Sequence, residues 1–273
     1  MGDCSETTGY FGSDGVTLYG TFHETGEPKA KGGILVIPPF GEERKCAYRL
    51  IVETARRLAD AGFDVMRFDC SGTGESLGSH AAVTMKDWIR DAGLALEQLQ
   101  TLSSAGRWVL LGARLGANIA ALRGGSGIRG IACWEPLLSG TAFLDEIARR
   151  KQIKAIISGH GAGPQDGEWL WQEEQVVDFD GFPVNTEFAA AVKRLDFCAD
   201  LDKVGETDVL VVHVTGARSL PPAWQAVDAA CRAHARRRLQ VIHDKAFWGR
   251  ADYYQSEELV TATVDFCLAV CNT

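Results

Sequence analysis

The chain has 273 residues, 46% of them hydrophobic, enough for one large α/β domain or a core that carries an insertion. A net charge of −8, from 36 acidic and 28 basic residues with no basic stripe, argues against a nucleic-acid partner. Eight cysteines without a Cys-x-x-Cys pair signal neither a zinc site nor a thioredoxin-like motif, and no run of about eighteen apolar residues offers a membrane span.

The start, M-G-D-C-S-E-T-T-G, lacks the apolar stretch of a signal peptide, so a cytoplasmic protein with reduced thiols and no cofactor is expected. Gly9 to His23 reads as a hairpin on Ser13-Asp14-Gly15. G-I-L-V-I-P, 33 to 38, is a short strand apolar on both faces, and Pro38 to Glu43 reads as the loop that ends it. Leu50, Ile51, Thr54, Leu58 and Ala61 recur at helical spacing, which predicts a helix over 46–61 that Gly62 closes. A strand at 63–69 runs into the Gly-rich turn C-S-G-T-G-E-S, 70 to 76, and a helix is predicted over 84–102. Then R-W-V-L-L-G-A-R-L-G-A-N-I-A-A-L, 107 to 122, reads as a buried strand, a sharp turn at 112–116 and an Ala-rich helix. A strand at 128–134 follows. Gly125 to Gly130 matches G-x-G-x-x-G, but it precedes a strand instead of opening a helix, the wrong context for a nucleotide.

The alternation of buried strands and amphipathic helices predicts a mostly parallel sheet with helices on both faces. In such sheets the site lies at the carboxyl ends of the strands, which brings together the loops at 38–43, 70–76, 112–116 and 135–140. From Pro136 the rhythm changes. Residues 141–157 predict a helix, Gly159 to Pro164 a Gly-rich loop containing His160, 176–184 a small hairpin on Asp180-Gly181, and 186–195 another helix. The core resumes with a strand at 208–214, a helix from Pro221 to Arg236, a strand at 239–243 and a helix at 257–270. The run Arg236 to Arg238 reads as a solvated helix end. The expected organisation is therefore a core of 1–136 and 201–273 with a cap inserted at 137–200.

The turn D-C-S-G-T-G-E-S, 69 to 76, and the Gly112-x-Arg114-x-Gly116 elbow resemble α/β-hydrolases over nearly the whole chain. I-P-P-F-G-E-E (37 to 43), G-A-R-L-G-A (112 to 117), W-E-P-L-L-S-G (134 to 140) and A-F-W (246 to 248) together resemble one group. These are the proteins encoded beside exosortase and exopolysaccharide systems, the exosortase A system-associated hydrolase type 2 group. The resemblance implies an α/β-hydrolase fold with a small inserted cap, and a role beside exopolysaccharide export or exosortase-dependent sorting.

The triad of that fold runs Ser, Asp/Glu, His along the chain. Here the nucleophile slot holds Arg114, the acid slot after the strand at 208–214 holds Ser219, and the base slot past the last strand holds Phe247, with Trp248 next. A guanidinium is neither a nucleophile nor a base at ordinary pH. Substitute candidates are Glu42, Glu43, His243 beside Asp244, and Cys70 with Ser71 on the Gly-rich turn; His213 reads as a packed core histidine. Arg114 opens a helix, where a cation opposes the dipole, so it needs an acidic partner (Glu42, Glu43, Glu135 or Asp69) or an anionic ligand. Phe40, Glu42, Glu43, Arg114, Leu115, Glu135, Ser219, Phe247 and Trp248 are the expected lining of any surviving pocket. Three readings stand at this point. One is a binding or accessory protein with a degenerate triad, whose partner is a protein or a small anionic or acyl ligand. The second is a hydrolase or acyltransferase acting on an ester or thioester through a non-standard nucleophile. The third is a cofactor-free enzyme that holds an anion on Arg114 and uses Glu42 or Glu43 as base.

Overall fold

Apolar residues that alternate faces while both faces stay dry make the central strands, and the computed structural model, which describes residues 4–158, 175–248 and 254–272, shows how they are covered. The strands are β1 (Ser5–Phe11), β2 (Leu18–Glu24), β3 (Gly33–Ile37), β4 (Asp64–Phe68), β5 (Trp108–Ala113), β6 (Ile128–Trp134), β9 (Asp208–Val214) and β10 (Arg237–Ile242). They form one eight-stranded sheet in the order β1-β2-β4-β3-β5-β6-β9-β10. From β4 to β10 all neighbours are parallel, and β1 and β2 are antiparallel additions at one edge. This is the α/β-hydrolase fold.

One set of strand residues, Leu35, Leu110, Ile131 and Val211, packs with α2 (Met85–Leu102), α3 (Leu115–Arg123) and α7 (Pro222–Arg232). The alternate set, Ile34, Val36, Val109, Leu111, Ala132, Leu210 and Val212, packs with α1 (Glu42–Asp60) and α8 (Glu257–Asn272). The period of two along each strand thus feeds two separate cores. Each fully buried aliphatic side chain contributes about 1.5–3 kcal/mol. Trp134 is buried, and its indole N–H is satisfied by Thr263 Oγ1 of α8 at 3.0 Å.

Between β6 and β9 lie α4 (Gly140–Ile157), the hairpin β7 (Val176–Phe179) and β8 (Phe182–Asn185), α5 (Thr186–Lys193) and the short α6 (Phe197–Leu201). β7 and β8 pair with each other, apart from the main sheet. The hairpin turn uses Asp180 at φ 57° and Gly181 at φ 88°.

Several boundaries differ from the sequence reading. α1 begins at Glu42, so Glu42 and Glu43 form its first turn and are not part of a loop. Carboxylates suit a helix N-terminus, where they meet the positive end of the dipole. α7 stops at Arg232, and Arg237 and Arg238 open β10 instead of ending a helix. Carboxylates across the strand ends hold this basic run: Arg236 pairs with Asp208 at 3.1 Å and Arg237 with Asp202 at 3.2 Å. α6 has no apolar period long enough to announce it, and Asp196 caps it through Ala199 N–H. The expected loop containing His160 lies outside the described residues. Among the described residues no helix is long and apolar enough to cross a membrane.

Candidate functional site

The elbow is where β5 hands over to α3. Arg114 stands at the joint with φ 54° and ψ −122°, a backbone state that side chains other than glycine rarely adopt and that costs about 1–3 kcal/mol. Its N–H donates to Trp134 O at 2.8 Å, and its carbonyl accepts from Ala117 N–H at 2.9 Å. The flanking glycines are required by contact. A Cβ on Gly112 would overlap Gly116 O, and one on Gly116 would overlap the carbonyl oxygens of Ile37 and Pro38.

From this joint the Arg114 side chain runs to α1. Its Nε–H donates to Glu43 Oε1 at 2.8 Å, Nη1 donates to the backbone carbonyl of Glu135 at 3.3 Å, and the guanidinium lies 5.6 Å from the centre of the Trp248 ring. The two ion-pair side chains are 14% and 5% exposed, so the pair is largely cut off from water. Burial pushes the Glu43 carboxyl above its usual range, more than the attraction and hydrogen bond of Arg114 pull it down. Glu43 Oε2 is buried with no hydrogen-bond partner among the described residues. Glu42, one position earlier, turns outward to Lys45 at 2.7 Å and has no part in the pair.

The other carboxylates near the elbow are engaged elsewhere. Asp69 is bonded to Arg44 and accepts from Glu75 N–H at 3.0 Å, which fixes the Gly-rich turn. Glu135, at φ 46°, accepts at one oxygen from Val214 N–H and from His213 Nδ1, the latter at 2.8 Å. His213 is stacked on Trp224 of α7 at 3.9 Å, and its Nε2 is buried without a partner among the described residues. The sequence reading placed His213 in the core but missed its link to Glu135. Only the tight turn before Pro136, which points the Glu135 side chain toward β9, could have suggested it.

Phe40 stands two residues past Pro38, whose carbonyl, like that of Ile37, crowds Gly116 of the elbow. It is 4% exposed, and the rings of His80, Trp88, Phe143, Phe182 and Phe188 lie 5.6 to 6.2 Å from it. Three of these five rings, Phe143, Phe182 and Phe188, come from α4, β8 and α5. Among the described residues, a recess of about 40 Å³ beside Glu43 is bordered by Phe40, Phe143, Ile147, Arg150 and Phe179.

The remaining sequence candidates are scattered. Leu115 is fully buried. Ser219 is exposed on the loop after β9, far in character from an ordered catalytic acid. Phe247, expected from the sequence at the base slot, is buried and stacked on Tyr254 at 4.0 Å, with the Trp248 ring 4.3 Å away. His243 is exposed just past β10, and Asp244 accepts from the Tyr254 hydroxyl at 3.0 Å. Burial, aided by Asp244, pushes that phenol up to about 12. Cys70 is 1% exposed, and burial, together with Asp91 and Asp69, holds its thiol well above the usual range, the reverse of an activated nucleophile. Ser71 is buried, with its N–H bonded to Asp91 at 2.8 Å. No His/Cys/Asp/Glu group able to hold a metal occurs among the described residues. The elbow position itself supplies no nucleophile, because a guanidinium stands there. The chemistry present is a desolvated ion pair standing where a nucleophile would stand.

Residues 29–178, more than half the chain, match the family model described as serine aminopeptidase, S33. No curated protein matches the chain. Among solved structures, Est1E from Butyrivibrio proteoclasticus is similar with a TM-score of 0.67 at 17% identity, over 97% of this chain and 99% of that one. The Pyrococcus furiosus esterase PF2001 is similar with a TM-score of 0.64 at 14% identity, over 97% and 91%. A proline iminopeptidase from Mycobacterium smegmatis gives 0.63 at 13%, over 97% and 99%. At such identities the likeness is one of fold.

Proposed function

The chain belongs to the serine aminopeptidase, S33 family of α/β-hydrolases, and from that premise we propose that it is a member without hydrolytic chemistry, acting as a binding or accessory protein. One observation carries this reading: the elbow residue is Arg114, and its guanidinium is tied to the buried carboxylate of Glu43. The ion pair occupies the nucleophile's place, Phe40 and Phe143 border the recess beside it, and Phe247 is the residue expected from the sequence at the base slot. In this reading 137–200 is a cap that has closed down on the core. A small anionic or acyl ligand would have to displace Glu43 from Arg114 before it could bind there. The finer reading, a role beside exosortase or exopolysaccharide systems, is supported by I-P-P-F-G-E-E, G-A-R-L-G-A, W-E-P-L-L-S-G and A-F-W occurring in that order. A cytoplasmic site of action belongs to the same reading and is supported by eight cysteines that are all thiols.

The test is chemical. Purified protein is expected to give no burst with p-nitrophenyl esters and no labelling by a fluorophosphonate probe. Stoichiometric labelling of any serine would overturn the reading in favour of a working hydrolase. Rapid native-state alkylation of Cys70 coupled to loss of an ester-cleaving activity would point to a thiol enzyme instead.

A further inference from the structure

The two edges of the sheet are treated differently. An edge strand exposes a row of unpaired N–H and C=O groups, and proteins guard such rows with charges, prolines or bulges. The β10 edge is guarded. Arg237 and Arg238 lie in the strand, and Glu257, Glu258 and Asp265 of α8 line the groove beside it.

The β1 edge has neither proline nor bulge, and its one charge is tied up within the chain. Seven residues, Ser5 to Phe11, pair with β2 in unbroken register, and nothing described pairs with their outer side. The one charged residue in the strand, Glu6, is turned to Arg56 at 2.6 Å and His23 at 3.4 Å, so its charge is already compensated. In a chain of net charge −8 this edge is a nearly neutral stripe, where two copies meet least repulsion. Apolar side chains lie on both sides of it. Tyr10 is 60% exposed on one face, and on the other Leu102, 48% exposed, borders a groove of about 370 Å³ with Thr7, Gly9, Phe11 and Met66, which Glu24 and Gln98 also line.

The strand is also complementary to itself. Antiparallel pairing about a two-fold axis at Thr8 sets Ser5 opposite Phe11, Glu6 opposite Tyr10, Thr7 opposite Gly9 and Thr8 opposite Thr8. Thr–Thr is a favourable cross-strand pair, a phenol beside a carboxylate supplies a donor to an acceptor, and Gly9 leaves space on the groove face. No like charges meet.

We propose that the β1 edge is the contact surface for a second copy of this chain, joining two eight-stranded sheets into one continuous sheet. A two-fold contact of this kind closes on itself, because each β1 is used once, and assembly stops at the dimer.

The test is sedimentation velocity of the full chain over a wide concentration series, on wild type, Thr8→Lys and Arg238→Ala. The expected result is a concentration-dependent dimer for wild type and for Arg238→Ala. Thr8→Lys, which sets two ammonium groups face to face on the axis, should stay a monomer with an unchanged melting temperature. In a Cys4→Ser background, Thr8→Cys should form an interchain disulfide on mild oxidation. A wild type that is monomeric throughout overturns the proposal. So does a dimer that Thr8→Lys leaves intact or that Arg238→Ala abolishes.

Discussion

Replacing Arg114 with serine is expected to lower unfolding stability by about 3 kcal/mol at neutral pH, the low end of the range for breaking a buried pair, because Arg114 keeps some contact with water. It should yield no esterase, since Ser219 and Phe247, the residues expected from the sequence at the acid and base positions, can serve as neither. Glu43 gives the loss a pH dependence. A carboxyl whose folded pKa lies above its unfolded value adds stability that is full below the unfolded pKa and is lost as pH rises through the folded one. Glu43 is already raised in the wild type, and removing Arg114 takes away the groups that hold it down. The gap between wild type and Arg114→Ser should therefore be small near pH 4.5 and widen as the pH rises, because at low pH the variant's Glu43 takes a proton. Urea unfolding at several pH values measures this. Double-mutant cycles should find coupling of Arg114 to Glu43 and none to Glu42. A gap that does not change with pH, or coupling to Glu42 alone, would show that Arg114 is held by something other than this pair.

Phe40→Ala is expected to cost about 3–5 kcal/mol, as for a large aromatic removed from a packed core. The ring touches the core through Trp88 and the inserted segment through Phe143, Phe182 and Phe188, so its loss opens a cavity between two parts of the molecule. Most of that cavity's walls would be aromatic, and such cavities take up small apolar guests. Saturating benzene should raise the melting temperature of Phe40→Ala and leave the wild type unchanged. A cost below about 1 kcal/mol would mean that the inserted segment can settle into the gap, and that Phe40 does not hold it in place.

The framework was legible because its signals are local. β6 and β9 begin and end where the apolar runs do, and the spacing of Gly112 and Gly116 around Arg114 marks a joint at which no Cβ fits. What was not legible depends on rotation and on distant contacts. Glu42 and Glu43 are interchangeable on a loop, but on a helix that starts at 42 they point about 100° apart, and only one can face Arg114. The ring of aromatics around Phe40 draws on residues more than a hundred positions away, and no periodicity announces such a meeting. The basic run misled because three arginines suit a helix end as well as a strand whose neighbours carry aspartates.

The scattered thiols give the two cores separate clocks. Cys70, Cys133 and Cys231 lie in the core on the α2 and α3 side, and Cys267 and Cys271 in the core under α1 and α8. All five are 2% exposed or less, and burial raises each thiol's pKa, so none can meet a reagent without opening. Under native conditions the rate at which each is modified measures how often its own layer breathes. If the molecule opens as a unit, all five should react at one rate. If the layer beneath the inserted segment loosens first, Cys70, Cys133 and Cys231 should react well ahead of the other two, and mass spectrometry of timed alkylation would separate the cases.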